Sequence, residues 1–221
     1  MAFGEGAALP PSVHNHPVAT HSISIDTAPA DAPIADVIEL SCGPHGPPVR
    51  IAPGSGRTWR IVASDAAACG RLAREAMRSP AVERVPGRDG LLSATTVLEN
   101  IVLPAVYHAR VPGERLAQSV YDAFDACGME RGEADRLCAC RVADLDGFEQ
   151  RLVCLLRALL MRPAVLLCER IFEGLPHGDM ERVARFPAYY RCAVARGTVL
   201  FLDLAGMACP EIAADVQVDA V

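Results

Sequence analysis

An apolar helix that passes almost directly into an apolar strand constrains this chain more than any other stretch. Phe148 to Met161 is hydrophobic around most of its helical circumference, Pro163 ends it, and Ala164-Val-Leu-Leu-Cys168 follows without a polar residue. Proline stops a helix because it has no amide proton and its ring crowds the preceding turn. An unbroken apolar run, with no alternation, is the pattern of a strand buried on both faces, as in a parallel sheet sandwiched by helices. A helical stretch from Asp179 to Ala195 and a second apolar run, Thr198-Val-Leu-Phe-Leu202, repeat the order. The fold class expected is therefore α/β.

The rest of the chain supplies more pieces of the same kind. Ala35 to Leu40 alternates like a half-buried strand, Pro44 to Pro48 marks a turn, and Val49-Arg-Ile51 reads as a short strand closed by Pro53-Gly-Ser-Gly56. Trp59 to Ala63 is a further strand, followed by a helical pattern from Ala66 to Met77. Helices are predicted over Thr96 to Ala109 and Gly113 to Cys127, with Gly128 as a C-terminal stop, and Asp215 to Asp219 closes the chain as a strand. Residues 1–33 are rich in Pro, Ala, His and Ser and without periodicity. They read as a flexible tail ahead of one domain over 34–221. His14, His16 and His21 lie in that tail and are taken as incidental, not as metal ligands.

Composition narrows the function classes. At 221 residues, 51% hydrophobic, one domain with a full core is expected. A net charge of −6, with arginines scattered singly, argues against nucleic acid. Nine cysteines contain no CxxC pair. Cys138-Ala-Cys140 is the only close pair, and no histidine or further cysteine follows at zinc spacing, so reduced and mostly buried thiols in a cytoplasm are expected, and no metal site. No secretory signal is predicted. The longest apolar run, Leu152 to Cys168, is interrupted by Arg157, Arg162 and Pro163, so no direct membrane insertion is expected. The chain contains no lysine: all 21 of its Lys+Arg positions are arginine.

Four stretches stand in a telling order: Gly90 to Pro104 (GLLSATTVLENIVLP), Leu145 to Leu159 (LDGFEQRLVCLLRAL), Pro163 to Leu175 (PAVLLCERIFEGL) and Gly197 to Leu202 (GTVLFL). Together they resemble the ATP-binding subunit of an ABC transporter, closest in flavour to the importer and lipid-transporter branch. They match in turn the segment after the Q-loop, the signature motif with its helix, the Walker B strand, and the strand ahead of the switch histidine. The resemblance implies a P-loop NTPase-like, mostly parallel sheet flanked by helices. It also implies a helical subdomain at about 98–145 and a reduced β-subdomain.

The resemblance then assigns positions, and most depart from the family pattern. Two registers are open for the phosphate loop. In one, Gly54, Ser55, Gly56, Arg57 and Thr58 form it, with Arg57 in the lysine's place. In the other, favoured by the order strand, loop, helix, the loop falls at Ala63 to Arg71, and Ala68, Cys69, Gly70 and Arg71 stand at its helix end with Cys69 for the lysine. The Q-loop glutamine falls near Gly87. The signature segment becomes Leu145, Asp146 and Gly147, with Phe148 for the next glycine. The Walker B aspartate becomes Glu169, and the catalytic glutamate becomes Arg170, which cannot accept a proton from water. At the switch histidine stand Asp203, Leu204 and Ala205.

Three functions compete on these grounds. The first is a non-hydrolysing subunit that pairs with an ABC permease or a competent ATPase, possible as a dimer, at the inner face of the membrane. In that case no cofactor is expected, and Mg-ATP only if nucleotide binding is retained. The second is an active ATPase using Arg57, Thr58 and Glu169 in altered geometry. The third is a free-standing regulatory module on the same fold.

Overall fold

Five parallel strands form the centre of the molecule, in the order β4-β5-β6-β3-β7. In the computed structural model, residues 36–43, 47–87, 90–108, 113–207 and 212–220 are described. The stretch expected as a tail, with its three histidines, lies outside them, as does Cys209. The sheet strands are β3 (Thr58–Ala63), β4 (Val82–Pro86), β5 (Val165–Glu169), β6 (Thr198–Leu204) and β7 (Val216–Ala220). A separate antiparallel hairpin, β1 (Ile38–Leu40) with β2 (Val49–Ile51), pairs Ile38 with Ile51. It is the small β-subdomain expected.

Every residue of β5 is buried, and so are all but the last of β6. Helices cover both faces, as the apolar runs require. On one face, α1 (Ala66–Ala76) and the hairpin close over Ile61, Ala63, Leu167, Leu200 and Leu202. The other face carries Val85, Leu166, Cys168, Val199 and Phe201. On it packs α5 (Gly147–Met161), and α2 (Val97–Tyr107), α3 (Gly113–Ala126), α4 (Arg131–Ala139) and α7 (Phe186–Ala193) join the same apolar cluster around that helix.

Local chemistry sets the helix ends. Thr96 and Glu99 form a capping box on α2, and Asp146 and Glu149 form another on α5, each side chain accepting from the other's amide. Gly128, at φ +70°, follows α3 as the expected stop. The single helix predicted over 179–195 is two, α6 (His177–Val183) and α7. Pro187 sits in the first turn of α7, where its missing amide costs nothing but would have broken a continuous helix. Two elements stand where no element was predicted: β4, an edge strand with Glu83, Arg84 and Pro86, and the short, polar α4.

The cysteines of the described residues sort by burial. Cys42, Cys69, Cys127, Cys154 and Cys168 are buried, Cys138 and Cys140 are intermediate, and Cys192 is exposed. Burial pushes the Cys69 thiol up to about 12 and the Cys154 thiol up to about 11, so both stay protonated and inert near neutrality. Brief alkylation of the native protein, mapped by peptide mass spectrometry, is expected to label Cys192 first among the cysteines of the described residues. Cys69 and Cys168 should react only once the chain is unfolded; equal labelling of all of them would contradict this packing.

Candidate functional site

In open parallel sheets ligands bind beyond the carboxyl ends of the strands. Four turns meet there in this protein: Ser64–Asp65 after β3, Gly87 after β4, Arg170 after β5 and Ala205 after β6. The passage from β3 through two residues into α1 is the strand-loop-helix order of a phosphate loop. Residues 63–71 occupy it.

Asp65 caps α1. Its Oδ1 accepts from the amide of Ala68 at 2.8 Å, so a carboxylate already sits at the end of the helix where its dipole favours negative charge. Ala68 and Cys69 point inward and are buried. The Cys69 thiol lies 3.8 Å from the carbonyl oxygen of Leu202 on β6, and its surroundings include Glu169, Arg170, Asp203 and Arg84. Thus Cys69 and Glu169, far apart in sequence, lie in one neighbourhood. Gly70 and Arg71 lie further along α1, with Arg71 exposed.

Glu169 ends β5 with 8% of its surface exposed, and its Oε2 lies 2.6 Å from Nε of Arg84 on the neighbouring strand. Arg170 follows in the left-handed region at φ +49°, its amide donating to the Leu202 carbonyl at 2.8 Å and its guanidinium paired with Glu173. The Gly87 amide donates to the Glu169 carbonyl at 2.7 Å. A Cβ at Gly87 would lie 1.9 Å from the carbonyl oxygen of Arg170. The turn after β5 therefore fills the space that a side chain at 87 would need.

On β6, Asp203 is buried and bonded to Nε of Arg60 at 2.9 Å, while Nη2 of Arg60 donates to the Met207 carbonyl at 3.0 Å. Burial holds the Asp203 carboxyl above the usual carboxylate range, against the opposing pull of Arg60. Leu204 is half-buried and Ala205 exposed, and neither carries a titratable group.

At the start of α5, Leu145 is buried and Asp146 accepts from the Glu149 amide at 2.7 Å. Gly147 opens the helix, and Phe148 is buried beneath the guanidinium of Arg182, 3.5 Å above its ring. Arg151, one turn on and 5% exposed, donates to three carbonyls: Nε to Ile171 at 2.5 Å, Nη1 to Gly147 at 2.5 Å and Nη2 to Glu173 at 2.6 Å. It binds the start of α5 to the turn after β5.

The structure does not bring Gly54, Ser55, Gly56, Arg57 and Thr58 to this place. Thr58 begins β3, so the loop lies at the amino ends of the strands, across the sheet from Glu169. Its amides are also consumed. Gly54 donates to Ala164 O, Ser55 to Thr198 Oγ1, Gly56 to Arg196 O, Arg57 to Ser55 Oγ and Thr58 to Asp215 Oδ2. A phosphate cradle needs those N–H groups free. Here they close a turn.

This sheet and these flanking helices match known structures. The cbiO1 protein of Clostridium perfringens, part of the ABC transporter complex cbiONQ, superposes with a TM-score of 0.60 at 14% identity, over 76% of this chain and 79% of that one. The fold is that of the ATP-binding subunits of ABC transporters. A second such cassette, MJ1267 in its ADP conformation, gives a TM-score of 0.52 at 14% identity, over 72% of this chain and 74% of the other. In sequence the chain resembles the methionine import ATP-binding protein MetN of Chlamydia pneumoniae, 28% identical over 96 residues. That match takes in 42% of this chain and spans about a quarter, 26%, of the curated relative. No family model matches. The chain is thus like an ABC nucleotide-binding subunit in fold and in part of its sequence.

Three residues of the cassette-like site escaped the sequence reading. Asp65 had a readable signal, an aspartate just before an alanine-rich helix. Arg151 had a fainter one, a charge among the apolar positions of α5. Arg84 had none, because its partner is 85 positions away on another strand.

Proposed function

We propose that this chain is a non-hydrolysing counterpart of an ABC ATP-binding subunit, working in a pair with a permease or with a competent ATPase subunit. The observation that carries the proposal is Arg170. Where the resemblance places the general base, this chain has a permanently charged side chain, turned into an ion pair with Glu173. A positioned base is worth ~10² to 10⁴ in rate. Among the described residues no carboxylate or histidine in the turn directly after β6 offers a replacement, and Asp203 within β6 is committed to Arg60.

What the fold retains is a surface. Leu98, Leu103, Val106 and Tyr107 of α2 are exposed, Tyr107 to 82%, an apolar stripe on the helical subdomain that suits a partner protein. Among the described residues no helix is long and apolar enough to cross a membrane, so a place at the cytoplasmic face would depend on that partner. The cbiO1 relative belongs to a complex of this general kind.

Two measurements test the proposal together. Purified protein with Mg-ATP is expected to release phosphate no faster than an Arg170→Ala control. The full-length chain is expected to co-purify with a permease or ATPase encoded beside it, and Leu103→Asp/Tyr107→Asp is expected to abolish that association with an unchanged circular dichroism spectrum. ATP turnover above the control would refute the non-hydrolysing part. Association unaffected by the double substitution would refute the surface.

A further inference from the structure

Two exposed charges and one backbone contact stand at the carboxyl ends of the strands, beside the buried carboxylate of Glu169. The Asp65 carboxylate accepts from the Ala68 amide. The Arg84 guanidinium neutralises Glu169, the one acid left at the Walker B position. The Arg170 carbonyl stands against Gly87. We infer that Asp65 and Arg84 are resident substitutes for a phosphate and a divalent cation, so that the site is filled and charge-balanced by the chain itself and excludes nucleotide altogether. The inference rests on the cassette-like reading of this site, but it goes further than loss of hydrolysis: a subunit without a base could still bind ATP.

The physical case has three parts. A triphosphate at the start of α1 would meet a like charge at hydrogen-bond distance from the same amides, and like charges so placed disfavour binding. No lysine offsets that charge, because Cys69 is a neutral thiol packed against the Leu202 carbonyl. A divalent cation at Glu169 would have to displace the half-exposed guanidinium of Arg84 from a largely buried carboxylate, giving up an ion pair already made. The residues present therefore do not fit Mg-ATP.

Opening the site tests this. Manganese pyrophosphate serves as the probe, because Mn²⁺ is followed directly by electron paramagnetic resonance. Wild type is expected to show no binding. Asp65→Gly/Arg84→Gln removes both resident charges, with glycine still acceptable at a helix cap. It is expected to bind the probe with an affinity at least about tenfold above the limit at which wild-type binding would be seen, and adding Glu169→Gln is expected to abolish the gain. Asp65→Asn/Arg84→Gln keeps the capping oxygen without its charge and should show a smaller gain, which provides a second route if the glycine variant is unstable.

Probe binding to wild type as tight as to the opened variants would overturn the inference. So would folded opened variants that bind no better than wild type. Neither result touches the proposed function, which fails only on ATP turnover or on an unchanged partner association.

Discussion

Replacing Arg151 with alanine is expected to lower the stability of this protein by about 3 to 5 kcal/mol, a large share of the ~5 to 15 kcal/mol that holds a domain folded. The guanidinium is almost fully buried and donates to the carbonyls of Gly147, Ile171 and Glu173. Hydrogen bonds with a charged partner contribute ~1.5 to 3 kcal/mol each, and acceptors left without partners in the interior add their desolvation. Alanine removes all three donors at once and opens a void beside Leu175. In a domain of this length the loss corresponds to a fall in melting temperature on the order of 10 °C. Arg151→Lys should fall in between, since a single ammonium cannot reproduce a planar fork that reaches three directions. Thermal and urea denaturation of the purified variants would measure it; a melting temperature within a degree or two of wild type would show that Arg151 does not hold these segments together.

The same arginine gives Gly147 a structural reason to be glycine. A Cβ there would lie 3.3 Å from Nη1 of Arg151 and 3.3 Å from Leu175. The glycine that links this stretch to the ABC signature motif lies against a side chain that the motif does not call for, and a Cβ there would make both neighbours shift by a few tenths of an ångström. A match of one letter can thus have a cause that is not the family's.

How much of the molecule could be read beforehand follows from which interactions are local. The strands β5 and β6 and the helix α5 were legible because burial on all sides leaves an uninterrupted apolar run. The caps at Thr96 and Asp146 are legible because their partners lie three residues away. The break at Pro187 was equally local, but the apolar periodicity on either side of it suggested one helix. Edge strand β4 was not legible. Its half-buried Glu83 and exposed Arg84 stand side by side, so no apolar alternation reveals the strand. The two candidate phosphate loops could not be separated by composition, because Gly54-Ser-Gly-Arg-Thr58 looks better locally than Ala63 to Arg71. What separates them is long-range: the first loop's amides are taken up by Ala164, Arg196, Thr198 and Asp215, all more than a hundred residues away. Motif order pointed to the strand ends where Cys69, Gly87, Glu169 and Arg170 gather, whereas the charges that fill the site, Asp65 apart, have partners that only the fold supplies.

Placing at position 87 the glutamine that the resemblance to ABC cassettes would put there is expected to do more damage than removing any surface residue. Gly87→Gln should cost at least about 3 kcal/mol or leave the protein insoluble, in the upper range for single substitutions. A Cβ at 87 would stand 1.9 Å from the oxygen and 2.6 Å from the carbon of the Arg170 carbonyl. Both are backbone atoms, so no change of rotamer can relieve the overlap. Nor can the backbone move freely. Arg170 is held at φ +49° with its amide on Leu202 O, and Gly87 itself donates to Glu169 O, so separating the two turns breaks contacts to both β5 and β6. Gly87→Ala carries the same Cβ and should therefore show most of the loss, which separates backbone overlap from any effect of the amide group. Arg170→Gly relieves the left-handed strain but keeps the carbonyl in place, so it should not rescue either variant. Soluble yield and urea midpoints would decide the matter. A soluble Gly87→Gln protein with the wild-type midpoint would mean that the two turns are not locked, and that the family's residue could be reinstated one position at a time. If the losses appear as expected, Gly87 and Arg170 form one packed unit, and no single change at either can install a cassette's side chain there without disturbing the other.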